Sequence, residues 1–124
     1  MIYIDTHVVV WLYAGLTEQL SEQAKELINE HEIYISTVVR LELQYLYEIK
    51  RITDDSNTIV SDLTTRLGLK VCDKTFNAVI GQALQVTWTR DPFDRMITAN
   101  AALDKNILLT RDQNILVNYS NARW

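Results

Sequence analysis

The chain has 124 residues, with 12 Lys+Arg against 16 Asp+Glu, giving a formal net charge of −4. Hydrophobic residues make up 48% and charged residues 23%, ordinary globular composition, while three Gly and one Pro exclude collagen-like, low-complexity and loop-dominated chains. The length supports one domain, residues 1–124, large enough to bury roughly two-thirds of its unfolded surface. No run approaches the ~18 apolar residues of a membrane span, and the acid at position 5 makes a signal peptide unexpected. The single Cys72 has no internal disulfide partner and fits a reducing cytoplasm. Residues 1–62 hold 11 acids and 4 bases (4 − 11 = −7), and residues 63–124 hold 5 acids and 8 bases (8 − 5 = +3). The whole chain is therefore not a generic polyanion binder, although its C-terminal half could face one.

Short apolar runs of strand type alternate with longer helical patterns. Met1 to Ile4 reads as a buried strand and Thr6 to Ala14 as a helix. Ser21 caps a second helix, with Ala24, Leu27, Ile28 and His31 at helical spacing. Ile33 to Ile35 is a second strand, and Ser36 caps a helix running to about Arg51. A further helix covers about Asp54 to Leu67, stopped by Gly68. Leu69 to Cys72 is a third strand, followed by a helix from Thr75 to about Val86. Asp91-Pro92 opens another helix, because Pro suits the first helical position. Ile107 to Thr110 is a fourth strand, and Ile115 to Val117 is read as a short fifth. Strands separated by helices, with no hairpin signal, imply βαβ crossovers and a parallel sheet covered on both faces. In such sheets ligands bind beyond the carboxyl ends of the strands. That rule points to Asp5, Ser36, Asp73 and the Thr110-Arg111-Asp112 segment.

Several acids sit where structure alone does not ask for them. Asp5 ends the first strand between Met-Ile-Tyr-Ile and Val-Val-Val-Trp-Leu, although an N-cap of the next helix is an equally simple reading. Glu42 shares a helical face with Val38, Val39, Tyr45, Leu46 and Ile49, the face expected to pack inward. A buried carboxylate needs a base, a hydrogen-bonding network or a metal ion, and no base lies one turn away on its own helix. Asp91 and Asp94 flank Pro92-Phe93 and also suit a capping box. Asp112 follows the fourth strand and also suits a turn. Together, Asp5, Glu42, Asp94 and either or both of Asp91 and Asp112 would converge on one sheet edge. Crowded carboxylates repel unless they are protonated or bridged by cations. Oxygen ligands without a Cys/His cluster favour Mg²⁺ or Mn²⁺, which suits metal-assisted phosphoryl hydrolysis. No Gly-rich phosphate loop, nucleophile elbow or dinucleotide fingerprint is present. His7 and His31 lack metal-ligand spacing and read as packed or surface histidines, Cys72 as a buried small hydrophobe, and Trp11 as core, with Trp88 and Trp124 suited to an interface.

The segments Tyr3-Ile4-Asp5-Thr6-His7, Ile35-Ser36-Thr37 through Leu41-Glu42-Leu43, Arg90-Asp91-Pro92-Phe93-Asp94-Arg95 with Ile97-Thr98-Ala99-Asn100-Ala101, and Leu109-Thr110-Arg111-Asp112 occur in an order that resembles the PIN-domain nucleases, and within them the VapC-type toxins. The resemblance implies a three-layer α/β/α sandwich with a parallel sheet of four or five strands in the order 3-2-1-4-5. It carries metal-site roles onto Asp5, Glu42 and Asp94, with Asp112 or Asp91 as the fourth acid. It gives Thr6, Ser36 and Thr110 hydroxyls that hold the acids or bound waters. It also implies a Mg²⁺-dependent endoribonuclease toxin in the cytoplasm, a cognate VapB-like antitoxin and a homodimer. Arg90, Arg95 and Arg111 lie near these motifs and are candidates for backbone phosphates of RNA. The rival readings are a Mg²⁺-dependent deoxyribonuclease or phosphatase on the same fold, and a non-catalytic interaction module whose acids pair with Arg.

Overall fold

The computed structural model describes all 124 residues. Five strands form one parallel sheet in the order β3-β2-β1-β4-β5, the expected order. They are β1 (Ile2–Ile4), β2 (Ile33–Ile35), β3 (Lys70–Val71), β4 (Ile107–Leu109) and β5 (Ala122–Arg123). The helices are α1 (Thr6–Ala14), α2 (Glu22–Glu30), α3 (Thr37–Glu48), α4 (Ser56–Leu67), α5 (Phe76–Ala83), α6 (Pro92–Ala102) and α7 (Gln113–Asn118). This is the α/β/α architecture that the alternation of strands and crossover helices requires. β1 is central, with Ile2 opposite both Ile33 and Ile107 and Tyr3 opposite both Tyr34 and Leu108. Its residues are shielded on both faces, so Ile2 and Ile4 are fully buried. Each such side chain contributes about 1.5–3 kcal/mol through burial.

Two element boundaries moved appreciably and one element changed type. The Ser36-capped helix stops at Glu48 rather than near Arg51, where Lys50 takes a positive φ of 64°. The helix after Thr75 stops at Ala83 rather than near Val86. Residues Ile115 to Val117 lie in α7, not in a strand, because Asp112 accepts from the Ile115 N–H at 3.1 Å and starts a helical turn. The fifth strand instead is Ala122–Arg123, paired with Leu108 and Leu109.

The helix starts explain why acids gather at one end of the sheet. β1 runs directly into the N-cap Asp5, β2 into the N-cap Ser36, and β4 within three residues into the N-cap Asp112. α6 begins with the N-cap Asp91, and Asp94 lies in its first turn. In a parallel sheet all these helix N-termini meet the carboxyl edge, where free N–H groups and the helix dipole favour negative charge. α3 packs against α4 and α6, and α1 against α3 and α4, so Glu42 on α3 is carried to the same edge.

Candidate active site

Asp5 is only 4% exposed, yet its carboxylate is well supplied with donors. Oδ1 accepts the Thr6 N–H at 2.8 Å, and Oδ2 accepts the Thr110 hydroxyl at 2.7 Å. The Thr6 hydroxyl donates to Glu42 Oε1, joining α1 to α3. Thr110 Oγ1 also accepts the Asp112 N–H at 3.0 Å, so one hydroxyl links Asp5 to the fourth-strand loop. Asp5, Thr6, Glu42, Asp94 and Asp112 line a single cleft of about 540 Å³, together with His7, Val10, Trp11, Leu46, Arg51 and Ile52.

The electrostatics of this cleft are unbalanced. The ion pairs that the chain forms bring no lysine or arginine to Asp5, Glu42, Asp94, Asp91 or Asp112. Asp94 makes no side-chain hydrogen bond, and burial together with the charges of Asp91, Asp5, Asp112 and Glu42 pushes its carboxyl up to about 7. Burial also raises Glu42 above the usual carboxylate range, with Asp5 and Asp91 adding to the rise and the Thr6 hydroxyl opposing it. The interaction-module reading requires arginines neutralising these acids, and no arginine does so.

Asp91 and Asp112 differ in placement. Asp91 is exposed and caps α6 through the Phe93 and Asp94 N–H groups at 2.8 and 3.0 Å. It stands outside the cleft lining but near enough to raise Asp94 and Glu42. Asp112 lines the cleft itself. Asp73, also at a strand end, is exposed and apart from the cleft.

Not every residue goes where the motifs suggested. Ser36 does not reach the acids; its hydroxyl donates to Asn100 Oδ1 at 2.6 Å and accepts from the Val38 N–H at 3.4 Å. Its place at the start of α3 makes it a cap and a tie to α6, with Asn100 in turn donating to Cys72 Sγ at 2.7 Å. Arg95 is turned to the Ala83 carbonyl, at 3.1 Å from its nearer nitrogen, and clamps α6 to α5. Arg90 bonds the Thr87 carbonyl of its own loop at 2.8 Å. Arg111 remains exposed beside the cleft, its guanidinium over the Trp11 ring at 5.9 Å. Glu42 is half-buried rather than deeply buried, because Tyr45 and Ile49 on its expected inward face are 49% and 44% exposed. The buried stripe of α3 is Val39 and Leu43, and Glu42 sits on its border.

Three cleft residues escaped sequence reasoning. His7 Nε2 accepts the Arg111 N–H at 3.0 Å, which leaves the proton of the neutral ring on Nδ1, 3.6 Å from Asp5 Oδ2. Trp11 forms part of the cleft wall, and Arg51 lines it from the α3–α4 loop. Only the i, i+2 spacing of Asp5 and His7 hinted at any of these. A more apolar hollow of about 440 Å³, lined by Leu41, Cys72, Phe76 and Met96 among others, lies elsewhere, and none of the acids borders it.

The donor set of the acid cleft is chemically that of a hard divalent cation: carboxylate oxygens with hydroxyls behind them and no thiolate. The unpaired, crowded Asp94 carboxylate is the observation that fits such an ion best. No three His, Cys, Asp or Glu side chains close tightly enough to form a ligand cage by themselves. Asp5, Glu42, Asp94 and Asp112 instead line an open cleft.

In a parallel α/β sheet the carboxyl edge is the ligand-binding end, and here it carries unneutralised acids. The family model described as PIN domain matches residues 2–120, and the chain belongs to that family, whose members are nucleases that generally use divalent metal ions. Among solved structures, it is similar to a chain of VapBC2 from Rickettsia felis bound to a DNA fragment from their promoter, with 18% identity, a TM-score of 0.65, and coverage of 98% of this chain and 96% of that one. It is also similar to a chain of a toxin-antitoxin complex from Klebsiella pneumoniae, with 16% identity, a TM-score of 0.69, and coverage of 100% and 97%. No curated protein matches the sequence significantly. No helix is long and apolar enough to cross a membrane.

Proposed function

We propose that the chain is a divalent-metal-dependent endoribonuclease, the VapC-type toxin of a toxin–antitoxin pair. The observation that carries this reading is the set of carboxylates on one cleft without a basic partner, Asp94 above all. Family membership supports the nuclease chemistry, and the toxin–antitoxin complexes of similar fold support a VapB-like antitoxin partner. Asp5, Glu42 and Asp94 would hold Mg²⁺ or Mn²⁺, with Asp112 as the fourth acid and Asp91 as an outer one. When bound, the ion supplies Lewis acidity that lowers the pKa of a water and offsets charge on the cleaved phosphate.

The chain's own residues do the rest. The Thr110 hydroxyl and Thr6 N–H fix the Asp5 carboxylate, and the Thr6 hydroxyl fixes that of Glu42. A carboxylate of this set takes a proton from the water that attacks the phosphodiester in line; the P–O3′ bond breaks and the departing 3′ oxygen takes a proton from solvent, leaving 5′-phosphate and 3′-hydroxyl ends. Arg111 and Arg90 hold backbone phosphates on the rim, and Arg95 contributes as the clamp that seats α6. The protein works in the cytoplasm as a homodimer until its antitoxin covers it. The test is incubation of the purified protein with cellular RNA, with and without Mg²⁺, and mapping of new 5′ ends. Mg²⁺-dependent ends that vanish in Asp5→Asn support the reading; cleavage undiminished in that variant overturns it.

A further inference from the structure

The start of α4 borders a hollow that carries donors and no acid. The hollow holds about 350 Å³ between α3 and α4 and is lined by Thr37, Arg40, Leu41, Gln44, Ser56 and Asn57. None of these residues borders the acid cleft. In a chain of net charge −4, these walls hold one cation and no carboxylate. Arg40 is exposed, donates to Asn57 Oδ1 at 3.2 Å and forms no ion pair. Gln44 Oε1 accepts the Ser56 N–H at 3.3 Å, which leaves its Nε2 with only a 3.5 Å contact to Glu48. The Asn57 N–H, in the first turn of this 12-residue helix, has no carbonyl to bond within it. Asp55 caps the helix by accepting the Thr58 N–H at 2.8 Å and stays out of the lining.

Ser56 adds a second, independent sign of a ligand. The residue is only 5% exposed, and its hydroxyl is one of two side-chain groups in the chain that are buried without a hydrogen-bond partner. Buried polar groups are nearly always bonded, and a bare one costs stability that an alanine in its place would not. The hydroxyl is thus one that the fold itself does not use. A guanidinium, two amides, a hydroxyl and a helix N–H around one hollow are more donors than a planar carboxylate can use, and they suit the tetrahedral oxygens of a phosphate. We propose that the α3–α4 hollow is a phosphate-binding site, with Arg40 as its charge and Gln44, Ser56 and Asn57 as its neutral donors. A nucleic-acid backbone and a free phosphate compound present the same chemistry to it. The site is separate from the acid cleft, so the proposal stands or falls apart from the nuclease reading.

The test is amide NMR of the isotope-labelled, metal-free protein titrated with inorganic phosphate, with chloride and acetate at matched ionic strength as controls. The Ser56 and Asn57 amide signals and the Gln44 side-chain signals should shift saturably with phosphate and not with either control. Arg40→Gln should raise the Kd about tenfold, the scale of one hydrogen bond to a charged group. Ser56→Ala should also raise it, while the melting temperature without phosphate stays the same or rises; a purely structural hydroxyl would lower that temperature and leave the Kd alone. Binding of a labelled single-stranded RNA to the metal-free protein separates the two sources. Weaker RNA binding by both variants assigns the phosphate to a nucleic acid, and unchanged RNA binding assigns it to a free phosphate compound. No saturable shift with phosphate, an equal shift with acetate, or shifts confined to residues outside the hollow overturns the proposal.

Discussion

The Thr110 hydroxyl donates a 2.7 Å hydrogen bond to Asp5 Oδ2, joining the ends of β4 and β1 across 105 positions of sequence. Both residues are buried, and the same oxygen accepts the Asp112 N–H. One side chain thus sets the distance between two acids that no local sequence relates. Thr110→Val keeps the shape and removes both bonds. It should cost about 1–3 kcal/mol in urea unfolding, because a buried carboxylate oxygen loses its donor. RNA cleavage should fall about tenfold or more, as with other outer partners of metal ligands.

Asp94 makes stability depend on pH in an unusual direction. Its carboxyl titrates near 3.8 when unfolded and is pushed up to about 7 when folded. Between those values the folded chain holds a proton that the unfolded chain has released, so stability falls as pH rises through this window. Asp94 is half-exposed, so solvent moderates the size of the effect. Melting temperatures of the metal-free protein from pH 4 to pH 7 should therefore decline more for the wild type than for Asp94→Asn. Saturating Mn²⁺ should remove most of that difference, because it stabilises the ionised form.

Arg111 and Arg95 should separate cleanly. Arg111 is exposed and free of acids, so Arg111→Gln should leave stability within about 0.5 kcal/mol. RNA affinity should weaken, and the slope of log K against log salt should shrink by about 0.7, one phosphate contact on a single strand. Arg95→Gln loses its bonds to the Ala83 carbonyl and should lower the melting temperature while leaving the salt slope unchanged.

Lys74 provides a test away from the cleft. Its ammonium bonds the Asn100 carbonyl at 2.7 Å, Asn106 Oδ1 at 3.0 Å and Asp104 Oδ2 at 3.0 Å, and lies 4.8 Å from the centre of the Tyr3 ring. Lys74→Met should destabilise the fold by about 1–3 kcal/mol through the carbonyl left without its donor. Cleavage per folded molecule should not change.

The parallel sheet was readable because apolar runs of three or four residues are separated by helical patterns, which leaves parallel crossovers as the simple solution, whereas the strand order followed only from the family resemblance. Asp5 stood out as an acid between two apolar runs at a strand end; the N-cap role that local sequence also offered is one it does fill, and the cleft role comes in addition. The Ile115–Val117 segment misled because six residues are too few to display a helical period, and the cap at Asp112 was the better signal. β5 was invisible because Ala122–Arg123 has no strand character of its own; the Thr110 N–H, donating to the Arg123 carbonyl at 3.0 Å, helps hold it to the sheet. Glu42 drew attention by its apolar neighbours, but Tyr45 and Ile49 face outward, so its half-burial follows from tertiary packing. Trp11 and Arg51 could not be placed at the cleft from sequence, whereas His7 comes there by standing two residues after Asp5.

Calorimetric titration of Mn²⁺ into the purified wild-type chain and into Asp94→Asn tests most directly whether the acid cleft is a cation site. The wild type should bind at least one ion per chain, more weakly as pH falls below about 7, and the variant should lose most of that affinity. Absence of binding by the wild type, or equal binding by both, would contradict it.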